Sequence, residues 1–330
     1  MVYIFLNAFG IFAIENGKIV KYEIFKDPEE AARIVFEAKS KDELSEKEKE
    51  FIKDLKEVIF TYYKKNFKFE DRDFSEIVLQ FLKEKIGEEK MKNFLIEFSN
   101  SFNILKTRKE KDRLIIGLIS LIEENEKIIN LMFERLRNFY SLYFPEFVVK
   151  ESNEKILAKI LENPKREGKS FGIEFSEEEF NFCKEYANII KNLIELNKRF
   201  EKRLEEIVKE IAPNLYEIAG YKLAAKLIRG AGSLEKLAKM ASSAIQLLGA
   251  EKALFRFLRG KGKPPKHGYI FLHPLVNQAP KKLRGKISRA LASQLSKAAK
   301  IDYFSRRLES SLKKQLEERI KEIYEGKGDI

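Results

Sequence analysis

The chain has 330 residues, 44% of them apolar and 35% charged, with 64 Lys plus Arg against 52 Asp plus Glu for a net charge of +12. One cysteine, Cys183, and two histidines exclude an internal disulfide and leave no structural zinc set, which suits a reducing compartment. No run of 18 or more uncharged apolar residues occurs, so a soluble, intracellular protein without a membrane span is expected.

Residues 1–97 read as a small α/β domain. Val2 to Phe9, Phe12 to Ile14, Ile19 to Phe25 and Val58 to Thr61 are rich in β-branched and aromatic residues, and Asn16-Gly17 is a hairpin turn signal. Asp27-Pro28-Glu29-Glu30 reads as an N-cap, a proline and acids opening a helix. Further helices fit Glu46 to Lys56 and Phe74 to Ile86.

Residues 98–212 read as a long antiparallel coiled-coil hairpin. Leu118, Ile122, Asn125, Ile129, Met132, Leu136, Phe139 and Tyr143 follow a 4-3 spacing that Pro145 ends. A second seam runs through Tyr186, Ile189, Leu193, Leu196, Phe200, Leu204, Ile207 and Ile211. Two such helices cannot bury both faces alone, so a neighbouring domain or a second copy is needed, with Asn125 available to fix register. Two helices packed inside one globular domain are the plainer alternative. The intervening residues 146–176, with Asn163-Pro164, Gly168 and Gly172, are expected to form a partly mobile tip.

Residues 213–305 read as an all-α domain of short helices joined by Gly and Pro turns, and they hold the charge. Against 18 Lys plus Arg stand 4 Asp plus Glu, a net of +14 that exceeds that of the whole chain. Such a focused field favours a polyanion through phosphate contacts and counterion release; an ordinary solvated basic face is the alternative. The centre of the field is Ile245 to Gly268. Lys252, Arg256 and Arg259 share a helical face, with Leu248, Leu254, Phe255 and Leu258 expected to face inward, and Lys261, Lys263 and Lys266 follow around paired prolines. Residues 306–330 add an amphipathic helix, read from Phe304 through Leu308, Leu312, Leu316, Ile320 and Ile323, and a frayed tail. The fold class is therefore α+β, mostly α.

Catalytic signatures fail on inspection. Gly230-Ala231-Gly232 lacks a third glycine at Glu235, and Gly168-Lys169-Ser170 lacks the upstream glycine at Asn163. His267 and His273 are the only imidazoles, Cys183 lies in another expected domain, and no Cys/His or Ser/His/Asp arrangement can be read. His267, beside Lys266, suits stacking on a nucleotide, whereas His273 among Phe271, Leu272 and Pro274 reads as structural. No enzyme is expected.

Gly232-Ser233-Leu234-Glu235-Lys236-Leu237-Ala238-Lys239-Met240, Gly249-Ala250-Glu251-Lys252-Ala253-Leu254-Phe255-Arg256, Pro264-Pro265-Lys266-His267-Gly268 and Arg284-Gly285-Lys286-Ile287 together resemble the Nop domain. Upstream, the stretch from Glu134 through Tyr143 to Glu146 is similar to the coiled-coil signature of the same proteins. The chain departs from the family at Phe139, usually Trp, and at Ala241 and Ala244, usually Pro and Thr. The resemblance implies an archaeal core protein of box C/D small ribonucleoproteins, which guide RNA 2′-O-methylation and rRNA processing. It would be cytoplasmic in an archaeon and nucleolar in a eukaryote.

The resemblance further implies fibrillarin on residues 1–97, a homodimer through the coiled coil, and a box C/D kink-turn guide RNA with its ribosomal-type kink-turn-binding protein on the Nop domain. Carried over by position, Lys252, Arg256, Lys263, Lys266, His267, Arg284, Lys286 and Arg289 would contact RNA. Leu247, Leu248 and Ala250 would touch the partner protein, and Glu251 would hold a helix end or a base rather than phosphate. The chain would hold no cofactor, S-adenosylmethionine belonging to the partner methyltransferase. A kink-turn binder that recruits no enzyme is the alternative implied by the same motifs.

Overall fold

A computed structural model describes residues 1–166, 168 and 170–326. The Gly168-Lys169-Ser170 motif lies partly, and residues 327–330 of the expected frayed tail wholly, outside the described residues. Two compact units are present, Met1–Glu110 and Lys111–Ile330.

The first unit is a five-stranded mixed sheet, ordered β3-β2-β1-β4-β5, with helices on both faces. Its elements are β1 (Val2–Asn7), β2 (Gly10–Glu15), β3 (Lys18–Ile24), α1 (Pro28–Ser40), α2 (Glu46–Ile52), β4 (Val58–Phe60), β5 (Lys68–Phe69), α3 (Ser75–Ile86) and the start of α4 (Glu88–Tyr140). β1 to β3 are an antiparallel meander, and β4 adds in parallel to β1. Asn16 and Gly17 both adopt positive φ, 51° and 73°, the twist a two-residue hairpin needs. Asp27 caps α1 by accepting from Glu29 and Glu30 N–H. Strand alternation sends Ile11 and Ala13 toward α1, and Phe12 and Ile14 toward α3, so β2 is buried on both sides. Lys64 is buried; its ammonium donates to the carbonyls of Ala38, Lys41 and Glu43 and pairs with Glu48 at 3.3 Å. That network satisfies a charge whose burial alone would be prohibitive.

In the second unit the remainder of α4 packs against α5 (Pro145–Lys150), α6 (Asn153–Glu162) and α7 (Glu177–Ile211). The seam differs from the one read in the sequence by half its positions. On α4 the column Ile122, Ile129 and Leu136, continued by Tyr143 just past the helix end, points inward as expected, but its companion is Ile119, Phe133 and Tyr140. Leu118, Asn125 and Met132 flank it, and Phe139 is 39% exposed. Tyr140 escaped the pattern because the seam read from the sequence runs through Phe139, one residue before it; it is fully buried, with its hydroxyl donating to Pro164 O at 2.7 Å. On α7 the buried face is Phe180, Cys183, Ala187, Ile190, Asn197, Leu204, Ile207, Val208 and Ile211, so Leu204, Ile207 and Ile211 are inward as expected while the rest of the 4-3 repeat is disguised by small and polar residues. Ile189 is 54% exposed, and Leu193, Leu196 and Phe200 are only half-buried. Asn125 donates to Asn197 across the pair at 3.3 Å, a polar layer that fixes register.

The tip expected to be partly mobile holds α5 and α6, with Ile156 and Ile160 fully buried against α7. Arg166 braces it, donating to Tyr143 O and Gly172 O and pairing with Glu174. At the other end, Ile115, Ile119, Ile122, Leu204 and Ile207 join the core of the basic domain, so that part of the hairpin has its neighbour within the chain.

That domain comprises α8 (Pro213–Ala231), α9 (Leu234–Lys239), α10 (Ser242–Leu247), α11 (Glu251–Leu258), a 3-10 turn Tyr269–Leu272, α12 (Pro274–Asn277), α13 (Arg284–Lys300), a π turn Ile301–Ser305 and α14 (Ser311–Tyr324). The final helix begins at Ser311 instead of Phe304, because Arg306 takes a left-handed φ of 56° and breaks it; Leu308 is exposed and Leu312, Leu316, Ile320 and Ile323 are buried. Buried Asp302 accepts from Asn214 N, Asn214 Nδ2 and Leu215 N, capping α8. Among the described residues no helix is long and apolar enough to cross a membrane.

Candidate nucleic-acid interface

The basic residues of the second unit sort into two classes by their partners. On α8, Lys222 pairs with Glu126 and Glu201, while Lys226 and Arg229 share Glu123 at 2.9 and 2.6 Å. These cations are spent on holding α8 to α4 and α7. Lys252, Arg256, Arg259, Lys261, Lys263, Lys266 and Arg289 make no ion pair within the described residues and are exposed. Their field is therefore open to a partner.

A rigid support holds the end of the loop that carries Lys266. The Gln246 carboxamide donates to Lys266 O at 2.7 Å, Gly268 N donates to Gln246 O at 2.9 Å, and Tyr269 N donates to Leu248 O at 2.7 Å. The lysine loop is thus strapped to the end of α10 by three bonds. A Cβ on Gly268 would stand 2.0 Å from Leu248 O, so only glycine permits this approach. Gly249, at φ 89°, lies against the Tyr269 ring for the same reason of space. Leu248 itself is 6% exposed and anchors the site in the core, which removes it as a partner contact; Leu247 and Ala250 are half-buried.

α11 departs from expectation. None of its residues is buried, and Phe255 and Leu258 are 61% and 68% exposed instead of facing inward, with Leu254 half-buried and Phe257 38% exposed. Two positive-φ glycines, Gly249 and Gly260, flank the helix, which stands off the domain with its cations and most of its apolar side chains in solvent. Glu251 turns back to accept from Gly249 N at 2.7 Å, so its carboxylate serves the helix end.

His267 stacks on Phe271, with centroids 4.6 Å apart and 15° between planes, and the Arg284 guanidinium lies 5.4 Å from the Phe271 centroid. Arg284 donates through Nε to Ala279 O and through Nη2 to Asn277 O, at 2.9 and 2.8 Å. Its hydrogen bonds go to the fold, so it positions the loop and contributes only charge outward. Lys286 is half-buried on the first turn of α13. The Lys266 stem passes 3.9 Å from where a Gly285 Cβ would sit, so loop and α13 are contiguous. The strap by Gln246 and the free Lys281 and Lys282 were missed in the sequence: nothing in a lone Gln marks a loop tie.

His273 caps α12, accepting from Leu275 N on Nδ1 at 3.2 Å, while Nε2 meets Ile218 O at 2.9 Å. Ile218 precedes Gly220, whose φ of 70° breaks α8, so the ring fills the gap in that helix. With Nδ1 accepting, Nε2 carries the proton and the ring is neutral. Burial lowers the pKa of His273 from 6.5, and that of His267 likewise, the charges of Arg284 and Lys266 adding to the latter.

The Nop family model, described as a snoRNA binding domain, fibrillarin, matches residues 148–322. A NOP5 family protein of Methanocaldococcus jannaschii, itself uncharacterized, is 40% identical over 242 residues, 65% of this chain and 58% of that protein. Nucleolar protein 56 of Dictyostelium discoideum is 34% identical over 256 residues, covering 67% of this chain and 46% of the relative. Its Saccharomyces cerevisiae counterpart is 32% identical over 255 residues, 66% and 50%. The chain spans about half the length of the curated relatives it matches. A chain in a crystal structure of a fibrillarin/Nop5p complex is 27% identical with a TM-score of 0.47, covering 97% of this chain and 99% of that one.

Because folding depresses the histidine pKa values, the folded protein binds fewer protons than the unfolded chain below about 6.5. Stability is expected to fall as pH drops through 6.5 toward the folded values and to level off below them. Thermal midpoints from pH 7.5 to 5 should decline less in His273→Gln than in the parent, and an equally steep decline would contradict the assignment.

Proposed function

Because the chain belongs to the Nop family, we propose that it is the scaffold of a box C/D guide ribonucleoprotein, joining a kink-turn RNA and its ribosomal-type binding protein to the methyltransferase fibrillarin. The observation that carries this reading is the cluster of unpaired cations between α10 and α13, whose loop is tied at Lys266, Gly268 and Tyr269 before any partner arrives. Preorganised cations lose little entropy on meeting phosphates and release the counterions that drive association. Lys252, Arg256, Lys263, Lys266, Lys286 and Arg289 take phosphates, and the outer face of the His267 ring takes a base or a ribose. The exposed Phe255, Phe257 and Leu258 of α11, with Leu247 and Ala250, offer the partner protein the apolar surface assigned in part to Leu248 from the sequence.

The mechanism is positional. The chain makes and breaks no covalent bond and holds no cofactor; S-adenosylmethionine belongs to the methyltransferase, which the first unit holds. Tethering raises the enzyme's effective concentration at the target ribose to the millimolar range typical of short linkers. An archaeal, cytoplasmic particle fits the M. jannaschii relative, and the nucleolus is the corresponding site for the eukaryotic relatives.

A second copy of the chain is proposed to dimerise on the side of the coiled coil that the internal seam leaves free. Leu121, Ile128, Leu131 and Phe139 of α4 and Phe182, Ile189 and Leu196 of α7 share one flank of the pair. Arg135, Leu136, Phe139, Phe182, Cys183 and Tyr186 line a groove within it. An exposed apolar strip of this length marks an interface.

Two measurements test these readings. The Lys252→Glu, Arg256→Glu, Lys266→Glu triple variant should lose assembly on kink-turn RNA and guided methyl transfer in a reconstituted mixture; unchanged affinity removes the RNA assignment, and RNA binding without any methyl transfer by the parent removes the recruitment of an enzyme. Ile128→Glu with Ile189→Glu should shift the mass in light scattering from dimer to monomer without loss of helicity, and a dimer that persists would contradict the second interface.

A further inference from the structure

No residue of α11 is buried, so its own packing does not fix the direction in which it carries Lys252 and Arg256. That direction is set at its root, where Gly249 joins it to α10 at φ 89° and Glu251 accepts from Gly249 N at 2.7 Å. One side chain closes on the root. A Cβ on Gly249 would stand 2.7 Å from both Cδ1 and Cε1 of the Tyr269 ring. On the far side of the same ring, a Cβ on Gly230 in the last turn of α8 would stand 3.1 Å from Cε2, and 2.9 Å from Leu248 Cγ. Hydrogen alone fits at both positions, so the half-buried Tyr269 ring is wedged between the end of α8 and the root of α11. Its backbone is fixed as well, because Tyr269 N makes the last bond of the loop strap, to Leu248 O.

The polar end of the ring leads toward the coiled coil. Arg229, the residue before Gly230, pairs with Glu123 of α4 at 2.6 Å, and Lys226 shares that carboxylate at 2.9 Å. The Tyr269 hydroxyl faces the same guanidinium: burial works against the charge of Arg229, and Glu123 first and Tyr269 after it more than offset burial, so its pKa is raised. One chain of contacts therefore runs from Glu123 on α4 through Arg229 on α8 and the Tyr269 ring to Gly249 at the root of α11. Core filling explains only part of it. A Phe would occupy the space between the two glycines equally well, whereas the phenol adds a polar tip that meets the one cation already committed to the coiled coil.

We propose that Tyr269 is a positioning residue, joining the Glu123–Arg229 pair to the root of α11 and so holding Lys252 and Arg256 at a fixed direction from the coiled coil. This rests on α11 and the lysine loop being an RNA site. Tyr269 and Arg229 themselves touch no RNA; they act through the helix they orient. Positional catalysis makes such a joint consequential, since a misplacement of about 1 Å can cost a factor of about 100 in rate.

Tyr269→Phe in the full-length chain tests the proposal, because it keeps the ring and the backbone strap and removes only the hydroxyl. Spin labels at Lys127→Cys of α4 and Ala253→Cys of α11, both exposed, report the direction of α11 from the coiled coil; Cys183 is buried and stays in place. Labelled chain is diluted in unlabelled chain, so that only distances within one copy are read. The distance distribution should broaden in Tyr269→Phe and in Glu123→Gln, and the two together should broaden it no further, because both cut one path. In the unlabelled chain, Tyr269→Phe should weaken binding of a kink-turn RNA by about fivefold, with the thermal midpoint and the slope of log affinity against log salt unchanged. A distribution as narrow as that of the parent, or additive broadening by the two variants, overturns the joint. Broadening without loss of RNA affinity overturns the positioning role, and a lowered thermal midpoint with a distribution like the parent's reduces the ring to core filling. A shallower salt slope gives the hydroxyl or Arg229 to phosphate and also overturns it. If the parent binds no kink-turn RNA, the RNA assignment fails, and the distance distributions alone decide the joint.

Discussion

The approach of Gly268 to the carbonyl of Leu248 is the constraint on which the proposed interface depends. Leu248 is buried, Gly268 has no side chain to hold it away, and the two hydrogen bonds formed there tie a lysine-rich loop to the hydrophobic core. Without that tie, like charges on Lys261, Lys263 and Lys266 would spread the loop into solvent. With it, the loop end, the His267 ring and the start of α13 share one framework, because Phe271 and Arg284 continue the packing from the other side.

The acids of the long helices complete the arrangement from a distance. Glu123, Glu126 and Glu201 neutralise the cations of α8, so the net positive charge of the domain is expressed on the loop, α11 and α13. Burial and hydrogen bonding lead in different directions for Glu123, yet its carboxyl is held below the ordinary value by Arg229 and Lys226. The same three acids fasten the basic domain to the coiled coil within the second unit. Charge focusing and mechanical attachment are thus one set of contacts.

Much of this was legible in the sequence, and the failures share a cause. The sheet, its hairpin turn and the helical class followed from alternation, Asn16-Gly17 and heptad spacing. The seam was half right because large apolar residues were taken for the inward ones. Tyr140, Ala187 and Asn197 are the inward ones, and Phe139 and Ile189 are not. In a helix pair that has two apolar flanks, periodicity finds both and cannot rank them. The same limit misplaced Phe255 and Leu258: an eight-residue amphipathic helix gives the right pattern whether its apolar face meets the core or a partner. Arg284 read as a free cation because its acceptors, the carbonyls of Asn277 and Ala279, are backbone atoms that no side-chain pattern announces.

The central claim is that unpaired cations on a strapped loop, and not the basic composition of the domain, meet the RNA. Photo-crosslinking of full-length chain to a kink-turn RNA, with the attached peptides identified by mass spectrometry, tests it most directly. The account expects crosslinks within residues 252–268 and at Arg289, and none at Lys222, Lys226 or Arg229. Crosslinks concentrated on those paired residues of α8, or confined to the first unit, would contradict it.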